Sequence, residues 1–183
     1  EHLLAAEGEA ARARGQRAVD LVRAMAGQEG LPDEQRDAVV LAAMFAGLAD
    51  GTEQSAVPDE VAGLGWAADL LRAWSPPYGV QALFDALIPR VRGETAPGGN
   101  AGAEILFTAR AAARAGMRAG DDPVSVFGAD VARHDAESLR ALAAVLHRWN
   151  LREQVRGGGE AEAPAPAEEG EAASPAEREP PTG

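Results

Sequence analysis

Apolar residues in this chain recur with the 3.6-residue period of an α-helix, and nowhere do they alternate with the two-residue period of a strand. Ala18, Leu21, Val22 and Met25 open the pattern, and Gly30 is placed to end a first helix over 9–29. Pro32-Asp33-Glu34 then sets Pro and acids where a helix start favours them, beside the positive end of the macrodipole. The second stripe is Ala38, Leu41, Ala42, Phe45 and Leu48, stopping at Asp50-Gly51. A third helix follows Val57-Pro58-Asp59-Glu60, with Val61, Leu64, Ala68 and Leu71 on its core face, and ends at Ser75-Pro76-Pro77. Val80, Leu83, Phe84, Leu87, Ile88 and Val91 make the fourth, which Pro89 is expected to kink or end. The turn formers of 93–102 connect it to a fifth, marked by Ile105, Leu106, Ala109, Ala113 and Met117. Asp122-Pro123 opens a short helix through Val131, and Asp135 caps a last one bearing Leu139, Leu142, Leu146 and Trp149. The expected fold is all-α, a single bundle of about seven helices.

All eight aromatic residues lie between Phe45 and Trp149, so the densest core is expected among the middle helices, with the first packed on them. That domain is read as 1–156. Residues 157–183 hold no large apolar side chain, but seven Glu against one Arg, half of the chain's net charge of −12. Such a segment has nothing to offset ordering entropy, so a disordered acidic tail, dispensable for folding, is expected there.

The remaining 1–156 carry 22 acidic against 16 basic groups, which argues against nucleic acid or an anionic membrane as partner. With zero Cys there is no disulfide, thiolate metal site or thiol nucleophile. No run is long enough to span a bilayer and no leader opens the chain, so the expected location is cytoplasmic. The chain opens on Glu1 rather than Met, as a fragment or processed form would.

Residues 17–50 resemble the opening of HD-type phosphohydrolase domains, most closely the HD-GYP subgroup of cyclic-dinucleotide phosphodiesterases. Arg17-Ala18-Val19, Gly30-Leu31 and Leu41-Ala42-Ala43-Met44-Phe45 fall in the family's register without a gap. Val57-Pro58-Asp59-Glu60, Ala103-Glu104-Ile105-Leu106-Phe107-Thr108-Ala109 and Arg133-His134-Asp135-Ala136-Glu137-Ser138-Leu139 resemble later segments. The resemblance implies a helical phosphohydrolase fold, yet every recognisable metal ligand is replaced. Ala46 and Gly47 stand at the His-Asp pair, Arg14 at the earlier His and Arg110 at the late Asp, while Arg90 to Pro97 lacks the His-His and Gly-Tyr-Pro signatures. Without ligands converging on an ion, this reaction class loses its hydroxide nucleophile. The expectation is therefore no metal, no cofactor and no catalysis.

Other polar residues read as local structure. Asp59-Glu60, Asp121-Asp122 and His134-Asp135 sit at helix starts, and His147 lies 13 residues from His134, not at metal-site spacing. Ser75, Ser125 and Ser138 have no His placed in sequence to suggest a triad, and 93–102 lacks the ending of a phosphate loop. The leading expectation is a non-catalytic HD-type regulatory module that binds a protein partner or itself. Trp66, Trp74 and Tyr78, off the core stripe of the third helix, form the candidate interface, with a homodimer as its concrete form. Two alternatives stand beside it: a metal-dependent cyclic-dinucleotide phosphodiesterase with unrecognised ligands, and a pseudo-enzyme holding a phosphorylated small molecule through Arg14 and Arg110.

Overall fold

A computed structural model describes residues 2–51, 60–74 and 79–158, with side chains over 8–48, 60–74 and 79–156. Among them are seven α-helices: α1 (His2–Gln28), α2 (Asp33–Gly51), α3 (Glu60–Trp74), α4 (Val80–Arg92), α5 (Ala101–Arg114), α6 (Pro123–Phe127) and α7 (Ala136–Gly158). A 3₁₀ turn, Gly128–Arg133, joins the last two, and no strand occurs among the described residues. The all-α expectation holds. Tyr78, Ser75, Asp59 and the tail from 159 on lie outside the described residues, while α7 runs through Gly158, two residues past the expected domain boundary.

Local chemistry explains the helix ends. Gly30 takes φ +70°, and Leu31 N–H reaches back to Ala26 O at 3.2 Å, closing α1 before α2 begins. Pro89 does not end α4. The helix carries on to Arg92 and is closed by Gly93 at φ +75°, with Gly93 N–H on Arg90 O and Glu94 N–H on Pro89 O. Asn100 caps α5 by accepting from Ala103 N–H at 3.0 Å, so this helix starts inside the expected loop.

α5 is the central rod, packed against α1, α2, α4 and α7 and buried without a break from Gly102 to Arg110. Gly102 permits this. A Cβ there would lie 2.7 Å from both Leu83 Cδ2 and Val39 Cγ2. The α1–α2 pair is also close: a Cβ on Gly15 would stand 3.3 Å from Gly47 Cα. With backbones this near, α2 turns its small side chains inward. Val39, Ala42, Ala43 and Ala46 are buried, whereas Met44 and Leu48 are 53% and 55% exposed. The expected stripe through Leu48 is therefore rotated, because residue size decides which face two glycine-paired helices share. α1 supplies fully buried Leu21, Val22 and Met25 to this core, and of the aromatic rings among the described residues Phe84 and Phe107 are buried.

Candidate functional site

The four positions singled out by the resemblance have different surroundings. Ala46 is part of the core and Gly47 is closed on Gly15. Arg14 is exposed on α1, with no ion pair or hydrogen bond among the described residues. Arg110 is 3% exposed, and its Nη2 donates to Glu60 Oε1 at 3.3 Å. Glu60, in the first turn of α3 as expected, also receives Arg114, so an acid placed to serve the helix dipole ties α3 to α5 as well. Arg14 and Arg110 thus share no partner.

Glu104, one turn and a half before Arg110 on α5, is paired with Arg90. Arg90 Nε donates to both Glu104 oxygens at 2.9 and 3.2 Å, with both side chains buried. Its Nη1 donates to Thr95 O at 3.3 Å, its Nη2 donates to Arg133 O, and the guanidinium lies 4.6 Å from the Phe107 ring centre. Glu104 Oε1 also accepts from Gly98 N–H at 3.2 Å. One ion pair therefore fastens the 93–100 connector and the end of the 3₁₀ turn to α4 and α5. Charges this deep are costly unless they are paired and hydrogen-bonded, as these are.

That anchor shapes a cleft of about 300 Å³ at the corner of α4, α5 and α6. Its floor includes His134, which is buried between Phe127 (ring centres 4.1 Å apart, 14° between planes) and Phe107 (5.0 Å). His134 Nδ1 meets the Thr108 hydroxyl at 3.1 Å, leaving Nε2 as the ring nitrogen without a partner among the described residues. Burial, reinforced by the guanidiniums of Arg90 and Arg133, pushes the His134 pKa down to about 4, so the ring is neutral near pH 7. Asp135 beside it caps α7 as expected, accepting from Glu137 N–H at 2.9 Å and Ser138 N–H at 3.0 Å. Asp122 likewise caps α6.

A second, more polar cavity of about 270 Å³ lies between the end of α1 and the start of α7. There burial raises the Glu29 pKa, and the Ser138 hydroxyl donates to Glu29 at 3.2 Å rather than to a histidine. Ser125 donates to Asp122 at 2.6 Å. Among the described residues no three His, Asp or Glu side chains gather as a metal-holding group.

Large apolar side chains are exposed on α2 and α3 (Met44, Leu48, Trp66, Trp74), on α6 (Val124, Val126) and on α7 (Leu151, Val155). Trp66 is 46% and Trp74 70% exposed, and Trp74 meets Phe45 edge to face at 6.3 Å. Both indoles thus lie off the buried Leu64, Ala67, Ala68 and Leu71 face of α3, as their spacing implied. Missed from sequence were Phe107 and Phe127 as lining of this cleft, and Thr108 and Arg90 as the groups that hold His134 and Arg133 behind it. The available signal was an arginine on the apolar face of α4 and a threonine on that of α5. No described helix is long and apolar enough to cross a membrane. No family model, curated protein or solved structure matches this chain.

Proposed function

We propose that the chain is a non-catalytic HD-type helical module that acts in regulation by binding a second copy of itself through the outer faces of α2 and α3. One observation carries the reading: Met44, Leu48, Trp66 and Trp74 are all exposed on these two helices, although α2 has small residues facing the core. Fully burying a side chain of this kind is worth about 1.5–3 kcal/mol, so leaving four in water favours a surface that becomes covered. Aromatic anchors such as Trp74, braced by Phe45, are favoured at interface centres. The replacement of donor-bearing side chains by Ala46 and Gly47 supports the non-catalytic part, since neither residue can ligate an ion.

Light scattering over a concentration series tests the dimer. The parent should double in mass as concentration rises, and Trp66→Ala with Trp74→Ala should stay monomeric with an unchanged helical circular-dichroism spectrum. A parent that is monomeric throughout overturns the self-association. Metal analysis after dialysis, coupled to an assay on cyclic dinucleotides, tests the rest: near-stoichiometric metal with chelator-sensitive hydrolysis would establish the phosphodiesterase reading instead.

A further inference from the structure

The cleft beside His134 is independent of the α2–α3 surface and of the HD resemblance, and its chemistry points to a ligand. Its concavity is made by α5, which presents Ala111 and Ala115, one turn apart, where longer side chains would fill the space. Its volume of about 300 Å³ stands at the lower end of small-molecule sites. Val91, Val126 and the Phe127 ring supply apolar wall, so an occupant needs a compact apolar body.

The polar groups narrow the choice. Arg133 is exposed at the cleft, steadied by Val91 O at 3.4 Å and by the Phe107 ring at 5.8 Å, and has no carboxylate partner among the described residues. Its fork is suited to a carboxylate in bidentate contact. Glu60 and Arg114 also line the cleft but are paired with each other, and the further negative charge of Asp130 disfavours a doubly charged group such as a phosphate monoester. A neutral His134 leaves Nε2 for one further hydrogen bond. We propose that this cleft binds a small aromatic monocarboxylate, with Arg133 holding the carboxylate and the ring lying against Phe127 and the alanine face of α5.

The test titrates the full chain, with alanine and valine methyls labelled for NMR, against 2-naphthoate, 2-naphthamide and 2-naphthyl phosphate. Naphthoate should shift the Ala111, Ala115 and Val126 methyls in a saturable way, with the amide and the phosphate each binding at least about tenfold more weakly. Arg133→Gln should weaken naphthoate by about tenfold or more, Arg133→Lys should recover part of it, and Ala111→Leu should block it. Arg133 is a surface side chain, so its variants keep the test valid even if Ala111→Leu fails to fold. Equal binding of acid and amide, tighter binding of the phosphate, an unaffected Arg133→Gln, or no shift at these methyls would each overturn the proposal.

Discussion

Replacing Arg90 with Met should be the most damaging single polar change in the described structure. The substitution keeps much of the aliphatic bulk but removes the cation from Glu104, whose carboxylate is buried and left, among the described residues, with Gly98 N–H as its donor at 3.2 Å. Breaking a buried pair from one side costs about 3–5 kcal/mol, because the remaining charge stays out of water unpaired. The carbonyls of Thr95 and Arg133 lose their donors as well, at about 1 kcal/mol each where water does not replace them. A combined loss of about 5 kcal/mol or more lowers the melting temperature of a domain this size by on the order of ten degrees or more. Adding Glu104→Leu removes the stranded charge, so the double variant should be more stable than Arg90→Met alone. Urea unfolding followed at 222 nm measures all the corners of this double-mutant cycle. An Arg90→Met protein within about 1 kcal/mol of the parent, or a double variant showing the plain sum of both single losses, would refute the reasoning.

His134 makes stability depend on pH. Its folded pKa of about 4 lies below the ordinary 6.5, so its contribution, about 3 kcal/mol, is present above pH 6.5 and is lost as pH falls toward 4. The stability gap between the parent and His134→Gln should therefore shrink over that window, and a constant gap would contradict a neutral buried imidazole. Gly102→Val should destabilise by about 2 kcal/mol or more, because even the first added carbon meets Leu83 and Val39 at 2.7 Å; thermal unfolding detects it, and an unshifted midpoint would show that α5 can move aside. Asp135→Ala should cost about 1 kcal/mol by removing the acceptor for two amides at the start of α7, with Asp135→Asn retaining most of it in the same assay.

Sequence alone determined the order of helices and most of their ends. Those depend on contacts within one turn: Asp122 and Asp135 accept from amides two and three residues on, and Gly30 adopts a positive φ that a residue with a side chain disfavours. It also separated Trp66 and Trp74 from the core face of α3, since that face is a matter of helical angle. Three features were decided only by tertiary structure. Which face of α2 is buried follows from the approach of Gly15 to Gly47, and a hydrophobicity pattern ranks Leu48 above Ala46 without knowing how near the neighbouring backbone comes. Arg90 and Glu104, on different helices, become partners only because the 93–100 connector folds α5 back onto α4. The cleft, finally, joins α5 to a 3₁₀ turn some twenty residues later, and His134 becomes a buried, neutral ring only because Thr108, Phe107 and Arg90 arrive from two other helices. A burial cost and a charge's partner are properties of space, and one-dimensional spacing carries neither.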